Sequence, residues 1–493
     1  MNTTEWLGSV NAGEGVLNTS FRALAIVGAS QLVKLAINVI GTLILVRILS
    51  PDAFGIAAMA ALLVNFILLL KDFGLGTATV QSATISQRQV STLFWLAQLG
   101  GVLLSLVSLA LAPLLSWFFS APELSPALMT LSLGFVFGAL GSQHASLLSR
   151  RLCFVRLGAV EITALLSSFI VALTLTWQGY GWWSLIWQRL VQIAISTTGM
   201  WVVCSWRPSM EFRIAEVRAQ SVLGMHVSGA NLAGYVSRNF DNLIIGWYWG
   251  AAPLGLYSKA YDLLMAPLSQ VSGPLGQVFQ PLLGRLRGDP RHYSVLLTHV
   301  LTGSLLILLP VGTLMLWQPV RVTQTLLGEA WLPASSIVGW FGFAMCYQVF
   351  GSILMWSLIT RQRGRDLSRT TLVNSLVNVL GFIVSVPYGV AAVAATYTLL
   401  GAIVRIPFAM YVCTGDASFP RIAALRAMVL PAVAFVLVSL MFSTLGDSEL
   451  LAGTSDWLVL SVQLVLGYVL ILLIAIPSSL GKSVRRRLHE LRA

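Results

Sequence analysis

Arg238–Asp262 reads RNFDNLIIGWYWGAAPLGLYSKAYD and puts four charges, Arg238, Asp241, Lys259 and Asp262, into two apolar segments joined by the short uncharged turn GAAP. A charge at the centre of an isolated membrane helix costs about 2.5 kcal/mol or more, so charges kept there face one another or a watery cavity. The rest of the chain has to supply the helices and the cavity.

It has the composition to do so. Of 493 residues, 57% are apolar and 10% charged, with a mean hydropathy of +0.82; an ordinary soluble domain is about 25% charged. The chain is an all-α polytopic membrane protein. Its net charge of +12 would suggest nucleic acid in a soluble protein, but basic cytoplasmic loops account for it here, and no nucleic-acid partner is expected. Cys153, Cys204, Cys346 and Cys413 are far apart and form no CxxC pair, so no disulfide is required. The polar start, with Glu5 and Glu14 before Arg22, lacks the order of a cleavable signal peptide.

Working outward from the charged stretch, apolar runs of spanning length predict about fourteen transmembrane helices: 23–46, 55–70, 91–118, 124–147, 158–176, 180–203, 222–249, 254–283, 295–317, 331–357, 371–386, 389–412, 427–443 and 458–478. The eighth contains Pro267, Pro274 and Pro281 and is expected to bend. Alternate loops are basic, with Arg150, Arg151 and Arg156 in one and Arg361, Arg363, Arg365 and Arg369 in another, and the tail adds Arg485, Arg486 and Arg487. The opposite loops hold only Arg47 and Arg321 among their cations. By the positive-inside rule both termini are cytoplasmic. Loops are too short for a soluble catalytic or nucleotide-binding domain.

Segment 46–59, VRILSPDAFGIAAM, faces 247–260, WYWGAAPLGLYSKA, and an offset of 200 residues sets Gly55 opposite Gly255. Six helices and a loop lie between, which makes the halves parallel repeats about an axis along the membrane normal. The expected organisation is a six-helix lobe at 1–203, a cytoplasmic loop at 204–221, a second six-helix lobe at 222–412 and an appended helix pair with a basic tail at 413–493.

Arg238 and Asp241 are three apart on one helix face, as are Lys259 and Asp262. Each pair is either an ion pair that joins helices or a cation lining a cavity with an acid that orients it. Lys34, Arg189 and Arg405 sit in separate spans with no acid within four positions. They point to a shared basic chamber suited to phosphate or pyrophosphate; the rival explanation is snorkelling of the head groups to an interface. Glu161 reads as an N-terminal helix charge, and His144 as a packing histidine. Aromatic clusters at 117–119, 177–183 and 247–249 fit the interfacial belt. No catalytic constellation, metal-ligand grouping or nucleotide motif is present in the sequence, and no cofactor is expected.

LVRILSPDAFGIAAM at 45–59, KDFGLGTATVQ at 71–81 and the whole of 238–283 resemble bacterial polysaccharide repeat-unit flippases of the multidrug/oligosaccharidyl-lipid/polysaccharide superfamily. The resemblance carries over the signature positions Arg47, Gly55, Asp72, Gly74, Arg238, Asp241, Gly255, Tyr257 and Asp262. It implies two six-helix lobes around a central cavity, alternating access, and movement of an undecaprenyl-pyrophosphate-linked oligosaccharide to the periplasmic leaflet of the inner membrane for exopolysaccharide, capsule or O-antigen assembly. Partners implied are that lipid-linked sugar, membrane phospholipids, and polysaccharide polymerase and chain-length machinery. Asp241 and Asp262 could exchange a coupling H+ or Na+, which the sequence does not establish. Peptidoglycan-precursor flipping, ion-coupled drug export and intramembrane glycan processing stay open as alternatives.

Overall fold

The computed structural model describes residues 16–71, 76, 79–80, 85–211, 235, 238–416, 418–446 and 455–476. Among them the regular structure is helical, and the only β feature is an isolated bridge between Asp416 and Phe419. The helices are α1 (Val16–Ile48), α2 (Pro51–Lys71), α3 (Gln87–Phe118), α4 (Leu124–Arg150), α5 (Phe154–Trp177), α6 (Trp183–Val203), α7 (Phe240–Trp249) and α8 (Ala251–Arg285). They continue with α9 (Pro290–Trp317), α10 (Pro319–Leu326), α11 (Ser335–Thr360), α12 (Gly364–Ser385), α13 (Val390–Leu400), α14 (Ile406–Cys413), α15 (Arg421–Gly446) and α16 (Asp456–Ala475). A π-helical turn, Gly401–Arg405, joins α13 to α14.

Ten helices among the described residues are long and apolar enough to cross a membrane. The chain is therefore a multi-pass membrane protein. Helices α6 and α8 are outside those ten: Arg189 with Gln188 and Gln192 interrupts the apolar run of α6, and Lys259 and Asp262, followed by serines, glutamines, glycines and prolines, do so in α8. The same composition that weakens their span signal makes them the polar elements of the bundle. Exposed Leu106, Ile170, Leu376 and Leu473 offer apolar surface to hydrocarbon. Helix α8 is assigned as one unbroken helix through all three of its prolines.

The chain divides into two compact units, Met1–Gly255 and Leu256–Ala493. In the first, α3, α4 and α6 enclose an aromatic core. His144 is fully buried there, stacked on Trp201 at 4.5 Å and edge-on to Trp206 at 5.2 Å. In the second, α9 and α11 pack closely because Gly312 and Gly342 face each other; a Cβ on Gly312 would come within 2.8 Å of the Gly342 carbonyl oxygen. Helix α9 opens on a carboxylate cap, with Asp289 accepting from the Arg291 and His292 amides, both at 3.2 Å. Those bonds, first from the His292 amide and then from its ring, hold the Asp289 carboxyl below its ordinary range.

The 200-residue offset reappears as a packing contact inside the first unit. A Cβ on Gly55 would overlap the carbonyl of Ala251, and one on Gly255 would overlap the carbonyl of Pro51. Positions 51 and 251, and 55 and 255, are those the sequence superposes, so the two contacts exchange under that offset, as in a local two-fold crossing. Each unit also turns through a left-handed residue after an equivalent helix: Leu152 (φ 54°) follows α4, and Gln362 (φ 58°) follows α11. Their separation is 210 rather than 200 residues, and the short helix α10, absent between α3 and α4, supplies most of the difference.

Gly55→Ala and Gly255→Ala should each cost about 1–3 kcal/mol by overpacking the crossing. The expected outcome is reduced yield of folded protein in detergent and a lower midpoint of thermal unfolding for both; an unchanged midpoint for both would contradict the contact.

Candidate functional site

A concentration of polar groups in the first unit lies where α1, α4, α5 and α6 meet. A cavity of about 510 Å³ is lined by Lys34, Glu161, Arg189, Gln192, Ser142 and Asn38, among others. Small residues build it. Gly158 of α5 lies so close to α1 that a Cβ there would come within 2.7 Å of the Ser30 hydroxyl. One helical turn further along, Lys34 and Glu161 are brought into an ion pair, with Nζ 2.7 Å from Oε2. Gly141 of α4 similarly admits Thr197 of α6, whose hydroxyl donates to the Phe137 carbonyl at 2.9 Å. Arg189, Ile193 and Thr197 form an i, i+4 row, so the same close approach fixes the row that carries Arg189.

The Lys34–Glu161 pair corrects two expectations. Lys34 has no acid near it in sequence, but it is not an unpaired cation, and Glu161 is its counterion rather than a helix-end charge. Arg189 makes no ion pair or hydrogen bond among the described residues and remains available to a ligand. The cavity thus holds two cations and one carboxylate, a net positive site with amide and hydroxyl donors around it. An anion entering it gains charge-assisted hydrogen bonds, the stronger class, while competing with Glu161 for Lys34.

The other expected cavity residues are placed elsewhere. Arg405 is held by α13: its Nη2 donates to the Tyr397 carbonyl at 2.8 Å and its guanidinium lies 4.5 Å from the Tyr397 ring centroid. It too is partnered, through a carbonyl and a ring rather than an acid. The widened π-helical turn and Gly401, which leaves room for the Tyr347 hydroxyl, permit this arrangement. Lys259 and Asp262 form the i, i+3 pair that their spacing allows, at 2.6 Å. Arg238 and Asp241 do not share a regular helix face, because the chain bends at Asn239 just before α7. Arg238 is exposed and Asp241 is 3% exposed.

Of the signature positions, Arg47 is exposed in the last turn of α1. Tyr257 is fully buried against Tyr261 and Phe341, and Gly55 and Gly255 form the crossing described above. Asp72 and Gly74 lie outside the described residues. Sequence reasoning missed a role for Arg361, which sits among the loop cations. It is 8% exposed and bridges to Asp416 at 2.6 Å while donating to the Cys413 carbonyl at 2.7 Å. Only a partner distant in sequence could have revealed it.

The profile of a polysaccharide biosynthesis protein family matches residues 44–336. The lipopolysaccharide biosynthesis protein WzxC of Escherichia coli (strain K12) is 25% identical over 272 residues, 54% of each chain. The succinoglycan biosynthesis transport protein ExoT of Rhizobium meliloti (strain 1021) is 27% identical over 298 residues, 60% of each chain. The chain therefore matches little more than half the length of these curated relatives. Among solved structures, lipid II flippase MurJ in an inward closed conformation has a TM-score of 0.69 at 13% identity, covering 92% of this chain and 98% of that one. An inward-facing MATE family transporter of the MOP superfamily has a TM-score of 0.57 at 13% identity, covering 80% and 94%. These two establish the fold.

The paired carboxylate makes a specific prediction. Glu161→Gln, which frees Lys34, should raise affinity for inorganic pyrophosphate, whereas Lys34→Met should lower it about tenfold. Isothermal titration of the purified chain in nanodiscs checks both. Equal affinities in the two variants would contradict competition between Glu161 and the anion.

Proposed function

Because the chain belongs to the polysaccharide biosynthesis protein family, we propose that it flips an undecaprenyl-pyrophosphate-linked oligosaccharide repeat unit from the cytoplasmic to the periplasmic leaflet of the bacterial inner membrane. The observation that carries this reading is the cavity where Lys34 and Arg189 face one polar space in an otherwise apolar bundle. Sugar hydroxyls and a pyrophosphate cannot shed water into hydrocarbon without replacement contacts. Arg189 and Lys34 supply such contacts to the pyrophosphate, and the polyprenyl chain stays in lipid.

Movement then needs no covalent change. Access alternates between leaflets by rocking of two six-helix lobes, 1–203 and 222–412, with 413–493 appended, and both termini stay cytoplasmic. Relatives named for lipopolysaccharide and succinoglycan biosynthesis support a repeat unit as cargo, to be handed to polymerase and chain-length machinery. Asp241, buried in the first turn of α7, is the carboxylate to test for exchange of a coupling H+ or Na+.

The test is leaflet sidedness of a defined lipid-linked oligosaccharide in proteoliposomes, with its mass checked afterwards. Wild type should expose the sugar on the opposite leaflet at unchanged mass, and Arg189→Ala should slow exposure about tenfold or more while inserting normally. Altered mass would replace the reading with an enzymatic one. Transport of lipid II but of no repeat unit, or of cationic drugs alone, would replace it with precursor flipping or drug export.

A further inference from the structure

The second unit contains a cavity of a different chemistry. It measures about 600 Å³, and its polar lining comes from Ser272, Gln277 and Gln280 of α8 with Ser352 and Trp356 of α11. Among the described residues, no charged one lines it. We propose that it is a neutral-sugar subsite, which holds an uncharged pyranose of the transported glycan; the inference rests on the flippase reading and deepens it.

Helical geometry assembles the lining. Ser272, Gly276 and Gln280 form one i, i+4 row on α8, and Gly273 and Gln277 form the next. Ser352 and Trp356 form a third row on α11. Gly276 lets the indole lie against α8, since a Cβ there would sit 3.1 Å from Trp356 Cζ2 and 3.0 Å from Gln280 Nε2. At Gly273 a Cβ would meet nothing within 4 Å. That position borders open space rather than a packed neighbour. Pro281 has no amide, so the Gln277 carbonyl lacks its helical donor on this same stretch of α8.

Among the described residues, none of the five polar side chains is engaged in a hydrogen bond within the protein. Polar groups left this way bond to water or to a ligand that replaces it. What they offer matches a pyranose. Each sugar hydroxyl both donates and accepts, as the two carboxamides and two serine hydroxyls do. The indole adds an N–H donor and an apolar face on which the C–H side of a sugar ring can rest. A phosphate or ammonium group would find no counter-charge among the described lining residues, which separates this site from the Lys34–Arg189 cavity. The site is an open groove, with Gln277 exposed, of a volume within the range of small-ligand pockets.

Saturation-transfer NMR of a soluble uncharged oligosaccharide with the full chain in nanodiscs tests the assignment, with binding of inorganic pyrophosphate measured on the same samples. Wild type should show transfer to the sugar ring protons. Gln277→Leu and Trp356→Leu should each weaken apparent affinity about tenfold, and Trp356→Phe, which keeps a ring but loses the N–H, should lie between. Pyrophosphate affinity should be unchanged in all three, which verifies that they fold. The inference is overturned if wild type shows no transfer at millimolar sugar or if both leucine variants retain it. It is equally overturned if phosphocholine displaces the sugar, which would assign the cavity to a lipid headgroup. Failure of the flippase reading would instead appear as absent leaflet transfer with Trp356-dependent sugar binding intact.

Discussion

Charge placed in an apolar bundle must be answered, and several charged side chains of these helices are answered differently. Lys34 meets Glu161 across two helices. Arg405 meets a carbonyl and an aromatic face, and Lys259 meets the acid one turn away. Arg361 at the end of α11 is answered by Asp416. Arg189 instead opens on a cavity. Since uncompensated charge at membrane depth is costly, the polar space beside Arg189 is as much a requirement of the fold as a feature of the site. The small residues that draw α1 toward α5 and α4 toward α6 create it.

This view separates two kinds of polar surface. Around Arg189 the chemistry selects anions and includes a carboxylate that must be outcompeted. Around Trp356 it is neutral, with donors and acceptors in balance. A lipid-linked glycan has one strongly charged joint and many uncharged hydroxyls, and the chain offers a surface suited to each.

Sequence revealed what depends on local periodicity. Ten of the fourteen apolar runs match helices long and apolar enough to span among the described residues, the spacing of Lys259 and Asp262 anticipated their ion pair, and the offset between Gly55 and Gly255 picked out two positions that pack against each other's helix starts. It failed wherever a partner is remote or the helix irregular. Glu161 lies 127 residues from Lys34, so a search within four positions could not find it. Arg405 reaches Tyr397 eight residues back, beside a π turn that a regular helical period does not describe. The bend at Asn239 broke the common face assigned to Arg238 and Asp241. The neutral cavity was invisible for another reason: glutamine, serine and tryptophan carry no charge signal, and their convergence depends on the packing of α8 against α11.

The central claim is that the pyrophosphate of the cargo occupies the Lys34–Arg189 cavity. The most direct measurement is photocrosslinking of a phosphorus-labelled lipid-linked oligosaccharide to the full chain in nanodiscs, with a photoreactive residue at Gln192 in the cavity lining or at Leu106 on the exposed apolar surface. The account predicts labelling at position 192, suppressed by excess inorganic pyrophosphate, and weak labelling at 106 that pyrophosphate does not change. Equal labelling at the two positions, both indifferent to pyrophosphate, would contradict it.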